Sequence, residues 1–225
     1  MAEKSSVFDM IGPVMIGPSS SHTAGVVRIA RAAIRVLGSK PEEATITFYN
    51  SFARTYEGHG SDRAIIAGLL DYKTDDPKIK TSFDEAKKAG LKYIFKSVGN
   101  ASTMHPNTIK LNLKKGDKSV EVIGQSKGGG VINIAEVDGF NADFSASLHT
   151  LIIKAADTKG SIAYIANILS NDHCNIATMS VSRKGKNDAA CLVIEMDSGL
   201  KPLTLDYLKS LEWVNEVIYI PDIDL

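Results

Sequence analysis

Residues 17–25 read Gly-Pro-Ser-Ser-Ser-His-Thr-Ala-Gly. Four hydroxyls and an imidazole, on Ser19, Ser20, Ser21, His22 and Thr23, stand between a Gly-Pro turn and the apolar-periodic segment 26–37. They fall at the start of a helix, where unpaired backbone N–H groups and the helix dipole attract an anion. The hydroxyls add donors, and a histidine gains or loses a proton near neutral pH. Capture of a carboxylate beside a proton-transfer group is the chemistry on offer. One hydroxyl is enough for a helix cap, worth about 1 kcal/mol. The set exceeds that need, and cap and site both remain open on residue types alone.

Two further loops carry histidine. Gly58-His59-Gly60 precedes Ser61 and Asp62, and glycines on both sides let a ligand approach the imidazole closely at a second helix start. A flexible surface loop accounts for the same residues. In His105-Pro106-Asn107-Thr108 the proline holds His105 extended as a strand begins; a plain strand-entry turn is the alternative. Lys127-Gly128-Gly129-Gly130 is a tight turn and weak evidence for a carboxylate cradle. His149 and His173 read as structural. The two cysteines, Cys174 and Cys191, are too few for a zinc or iron–sulfur site built from cysteine alone and read as small buried hydrophobes. No metal ligand is assigned to this chain, so a cluster would need another chain's residues.

The elements that position these loops follow from periodicity. The 225 residues are 44% hydrophobic with 26 basic and 26 acidic side chains, an ordinary globular balance that calls for neither nucleic acid nor an anionic membrane. Without a membrane-length apolar run or a signal pattern, a cytoplasmic protein is expected. Val26, Ile29, Ala30, Ala33, Ile34 and Leu37 form a helical stripe stopped by Gly38; Arg28, Arg31 and Arg35 recur on another face, read as solvated. A strand is expected over 43–49, then a polar loop. A helix over 62–72 is capped by Ser61. An exposed connection (73–80), a short helix (83–89), a strand (91–98), a hairpin (109–123) and a strand (131–137) follow. Residues 138–146 read as a polar connection holding the domain boundary. The remainder has strands at 149–155, 176–182, 190–196 and 214–220 and helices at 160–169 and 204–211. This βαββαβ order is ferredoxin-like. The fold class is α+β, with domains at 1–146 and 147–225.

With these residues in view, the chain resembles the beta subunits of bacterial iron–sulfur-dependent L-serine dehydratases (L-serine ammonia-lyases). The resemblance rests on Ser6-Val7-Phe8-Asp9-Met10-Ile11-Gly12-Pro13, Gly17 to Thr23, Gly58-His59-Gly60-Ser61-Asp62-Arg63-Ala64, His105-Pro106-Asn107 and Gly128-Gly129-Gly130. It implies an N-terminal α/β serine dehydratase beta domain, similar to allosteric substrate-binding domains, and a C-terminal ACT domain. It also implies conversion of L-serine to pyruvate and ammonia, and a [4Fe–4S] cluster carried by a partner alpha subunit. On the same ground His22 and His59 are the expected catalytic residues. Ser19, Ser20, Ser21, Thr23, Gly60, Asp62, His105 and Asn107 are the expected substrate contacts. Asp157, Gly160, Ser161, Asn175 and Ile176 are the expected effector contacts of the ACT domain. Two departures are visible: Ser61 replaces an expected threonine, and Thr158-Lys159-Gly160 replaces the commoner Pro-Gly loop. A non-catalytic serine sensor, resembling the regulatory domain of some phosphoglycerate dehydrogenases, and a purely structural subunit are the alternatives.

ACT modules often pair through their sheets, so homodimerisation through residues 148–225 is expected. Light scattering on a chain ending near Ala146 checks this: the oligomeric state should fall relative to the full chain, and an unchanged state counts against it.

Overall fold

The computed structural model describes residues 13–100, 103–185 and 188–223. The stretch from Ser6 to Gly12 therefore lies outside the described residues. The chain divides into two compact units between Asp138 and Gly139.

The first unit is organised around helix α1 (Gly25–Leu37), whose side chains are almost all buried. Val26, Val27, Ile29, Ala30, Ala32, Ala33 and Val36 are fully buried. Gly38, with φ 84°, ends the helix by sending its N–H to the carbonyls of Ile34 and Arg35. Strands β1 (Glu43–Tyr49), β2 (Lys92–Val98), β3 (Thr108–Lys115), β4 (Lys118–Gly128) and β5 (Val131–Val137) lie in the order β2-β1-β3-β4-β5. β2 runs parallel to β1, and β3, β4 and β5 are antiparallel to their neighbours. The alternating apolar residues Ala44, Ile46, Phe48, Ile109, Leu111 and Leu113 are buried. Gly124 of β4 meets Ile29 so closely that a Cβ there would lie 2.4 Å from Ile29 Cγ2.

Among the described residues the unit also holds three further helices, α2 (Asn50–Thr55), α3 (Ser61–Leu69) and α4 (Ser82–Ala89), with a 3₁₀ turn at Pro77–Thr81. Sequence periodicity does not reveal α2, which falls in the expected polar loop. It is only six residues long and buries only Phe52. The arginine face of α1 also differs from expectation. Arg28 and Arg31 are each 7% exposed. Arg28 donates to Gly130 O at 2.6 Å, Arg31 Nε lies 3.2 Å from Asp71 Oδ1, and Arg35 reaches both Asp71 oxygens at 2.9 Å. A helix packed on all sides has no solvated face to give its charges, so they find a carboxylate and a carbonyl instead.

The second unit runs β6 (Phe140–Phe144), β7 (His149–Ala156), α5 (Ser161–Asn171), β8 (Ile176–Arg183), β9 (Ala189–Met196), α6 (Pro202–Lys209) and β10 (Val214–Ile220). Its four-stranded sheet has the order β10-β7-β9-β8, antiparallel throughout. Leu151, Ile153, Ile165, Leu169, Leu192, Ile194 and Leu208 fill the space between sheet and helices. β6 replaces the expected polar connection. Phe140, Ala142 and Phe144 are buried while Asn141 and Asp143 are exposed, the period of a strand compressed into five residues. Ser145 anchors its end, donating from both N–H and Oγ to the buried Glu195 Oε1 at 2.9 and 2.7 Å.

Helices α1 and α3 meet at Gly68. A Cβ there would stand 2.5 Å from both Ala30 Cβ and Val27 O. Helix propensity favours alanine over glycine by about 1 kcal/mol, but the carbonyl of a buried helix has no room to retreat. Gly68→Ala is therefore expected to destabilise by about 1–3 kcal/mol, read as a lowered urea midpoint; an unchanged or raised midpoint would show that the crossing is loose.

Candidate active site at the head of the first helix

The chain enters α1 through one π-helical turn, Ser20–Ala24, in which Gly25 N–H bonds Ser20 O. Such turns recur at functional sites because they break the regular stacking of side chains. Ser19 caps the turn: its Oγ accepts His22 N–H at 3.3 Å and its carbonyl accepts Thr23 N–H at 2.8 Å. The stretch thus forms a cap, and its hydroxyls and imidazole also gather there. Ser19 Oγ lies 3.2 Å from Ser21 Oγ, and His22 Nδ1 lies 2.9 Å from Ser21 Oγ and 3.3 Å from Ser19 Oγ. Ser20 sits in the same turn, half-buried.

His22 is held from several sides. Its Nε2 is 3.1 Å from Thr55 Oγ1. Its carbonyl accepts the hydroxyl of Ser61 at 2.8 Å. The edge of its ring meets Phe52, with centroids 4.8 Å apart and planes at 76°. Its pKa lies below the ordinary histidine value, first because burial penalises the charged form and then because His59 stands nearby. Ser61 does not cap α3 as expected; Gly60, at φ 71°, occupies the cap position, and the buried Ser61 side chain fixes the His22 backbone instead.

The His59 ring lies 4.7 Å from that of His22, centroid to centroid. Unlike His22, it is exposed, and its Nδ1 is 3.2 Å from Thr55 O. Asp62 follows in the first turn of α3, with Oδ1 accepting Arg63 N–H at 2.8 Å; burial raises its pKa above the usual carboxylate value. Thr23 is 1% exposed, its side chain packed under Gly17, and its buried Oγ1 has no hydrogen-bond partner. It is therefore not a surface donor.

His105 and Asn107 are held in their own turn. His105 Nδ1 accepts Asn107 N–H at 3.2 Å, and Thr108 Oγ1 donates to His105 O at 2.7 Å. This turn reaches the histidine pair through α2, where Asn50 Nδ2 donates to Met104 O and Ser51 N–H to Pro106 O. Beside α2 opens a cleft of about 550 Å³ lined by Asn50, Ser51, Arg54, Thr55, Asn100, Met104 and Pro106, with none of the histidines in its lining. Arg54 is the charged residue of that lining. None of the four α2 residues was expected from sequence. Their one signal is the Asn-Ser-Phe-Ala-Arg-Thr run directly after a strand, where α/β proteins place ligand-binding loops.

In the second unit Gly160 and Ser161 line a smaller cleft of about 240 Å³ with Thr158, Lys159, Tyr164, Leu211 and Trp213. Asp157 accepts Arg183 at 3.1 Å and Asn175 donates to Asp197 at 2.6 Å. Ile176 lies in β8, paired with Met196. His149 Nδ1 meets Tyr219 OH at 2.8 Å. Among the described residues no group of three or more His, Cys, Asp or Glu could hold a metal ion, and no helix is long and apolar enough to cross a membrane.

Residues 6–90 match the family described as Serine dehydratase beta chain. The chain is 43% identical to the probable L-serine dehydratase, beta chain, of Bacillus subtilis (strain 168), over 96% of this chain and 98% of that one. It is 37% identical to the L-serine dehydratase, beta chain, of Peptoniphilus asaccharolyticus, over 91% of each. It is also 28% identical to a D-3-phosphoglycerate dehydrogenase of Bacillus subtilis over 72% of this chain, but over only 30% of that protein.

The depressed His22 pKa fixes a sign. The folded state disfavours the charged ring, so its folded pKa lies below the unfolded value of about 6.5. The contribution to stability is complete above that value and is lost as pH falls through the folded pKa. Urea midpoints should therefore drop below about pH 6.5, and His22→Gln should flatten that part of the curve. A slope unaltered by the substitution would mean that His22 titrates alike in both states.

Proposed function

The chain belongs to the L-serine dehydratase beta-chain family, and on that premise we propose that it is the beta subunit of an L-serine ammonia-lyase. The reaction removes the α-proton and the β-hydroxyl of L-serine as water; the resulting enamine tautomerises and hydrolyses to pyruvate and ammonia. The observation that carries the reading is the pair of imidazoles beside the serine hydroxyls at the head of α1, one half-buried with a depressed pKa and one exposed.

The proposed cofactor is a [4Fe–4S] cluster, which supplies a Lewis acid for the departing hydroxyl. This chain's own residues do not fit it. Cys174 and Cys191 are buried in the second unit, Cys174 with its thiol on Ser198 O at 3.1 Å. The cluster is accordingly assigned to a partner alpha subunit, and the role of this chain is proton handling and substrate binding. His59 and His22 move the proton. The hydroxyl of Ser20, with Arg54 in the adjoining cleft, offers donors to the carboxylate, while Ser21 bonds the His22 ring. The second unit is proposed as an ACT domain that senses an amino acid through the cleft at Gly160 and Ser161 and pairs with its copy; the assembly is placed in the cytoplasm. A serine sensor without catalysis is the second reading, favoured by the similarity to D-3-phosphoglycerate dehydrogenase.

Co-expression with an alpha subunit and a coupled pyruvate assay test the proposal. The pair should turn over L-serine and the lone chain should not. Ser21→Ala and His59→Gln, with cluster content unchanged, should each lower kcat/KM by roughly 10²-fold or more. Tight L-serine binding by the lone chain in calorimetry, with no turnover by the pair, would replace the enzyme reading by the sensor.

A further inference from the structure

One residue touches both imidazoles, by two different atoms. Thr55 closes α2, and its hydroxyl donates to Ser51 O at 2.8 Å. That spends its only proton, so toward His22 Nε2, at 3.1 Å, the same oxygen can only accept. His22 must then carry its proton on Nε2. Its Nδ1 presents a lone pair, which receives the Ser21 hydroxyl at 2.9 Å. The carbonyl of Thr55 faces His59 Nδ1 at 3.2 Å. A carbonyl has no proton to give, so His59 carries its proton on Nδ1 and keeps a lone pair on Nε2. Two rings 4.7 Å apart thereby hold opposite tautomers.

We propose that Thr55 is the positioning residue of this site: its hydroxyl and its carbonyl set the tautomers of His22 and His59, leaving His59 Nε2 as the basic nitrogen on an exposed ring and making Ser21 a donor to His22. The hydrogen bonds then run one way, from Ser19 through Ser21 and His22 to Thr55 and Ser51. Ser61 bonds the His22 carbonyl and touches neither ring nitrogen, so it fixes the backbone without choosing the tautomer. The tautomer assignment stands on this geometry alone; its consequence for turnover rests on the dehydratase reading.

The two atoms of Thr55 can be separated by mutation. Thr55→Val removes the hydroxyl, and His22 Nε2–H loses its acceptor in a half-buried place. The ring then gains by moving its proton to Nδ1, where the oxygens of Ser21 and Ser19 accept it. The carbonyl survives, so His59 is an internal control. In two-bond ¹H–¹⁵N spectra of the full chain above pH 7.5, wild type and Thr55→Ser should show His22 protonated on Nε2. Thr55→Val should move it to Nδ1, with His59 on Nδ1 in all three. In the assembled enzyme Thr55→Val should lower kcat about 10- to 100-fold with KM nearly constant, and Thr55→Ser should restore it. A wild-type His22 protonated on Nδ1 overturns the proposal, even if Thr55→Val does not fold. So does an unmoved tautomer in Thr55→Val, or a moved one with unchanged kcat. If wild-type pairs fail to turn over serine while the tautomers are as assigned, the dehydratase reading falls and the assignment stands.

Discussion

The close crossing of α1 and α3 governs the first unit. Gly68 lets α3 settle against Val27 and Ala30, and Asp71 just beyond α3 gathers Arg31 and Arg35 from α1. Apolar burial and ion pairing thus act along the same seam. At its other end, Ser61 opens α3 and holds the carbonyl of His22. The depth of the packing at Gly68 therefore sets how near the two histidine loops come to each other. A site assembled from loops alone would not keep two rings at this spacing; here each loop is the beginning of a buried helix.

Much of this frame is legible in the chain itself. The stripe from Val26 to Leu37 and the alternation over 43–49 are local patterns, and local patterns survive folding. Partners are not local. Arg31 finds its carboxylate 40 residues later, and Thr55 finds its imidazole 33 residues earlier. An arginine repeat on a helix looks the same in sequence whether it meets water or an aspartate, and only burial of the whole helix decides between them. Helix α2 escapes notice because six residues, four of them polar, are too few to carry a hydrophobic period. β6 escapes because Asp138-Gly139 and Ser145 on either side make five alternating residues look like a loop.

The histidine pair itself illustrates the same limit. Sequence places His22 and His59 in two glycine- or hydroxyl-rich loops with equal claims. Structure separates them by environment. His22 is enclosed by Phe52 and hydroxyls and resists charging, whereas His59 stands exposed on the backbone of Thr55. Opposite surroundings acting on chemically identical groups are the usual means by which one protein divides acid and base duties.

The π-helical turn at Ser20–Ala24 has a consequence for how the sequence can vary. A regular helix advances about 100° per residue, so an apolar stripe on α1 continued backwards without interruption would dictate which of these residues faces inward. The longer hydrogen-bonded ring closed by Gly25 and Ser20 inserts a phase slip at that point. The hydroxyl-bearing turn and the packed helix are thereby rotationally decoupled. Loss of a single residue from the turn would restore the helical phase and swing the imidazole by roughly a quarter of a revolution. The length of the five-residue turn is thus constrained together with the Ser21 and His22 side chains it carries.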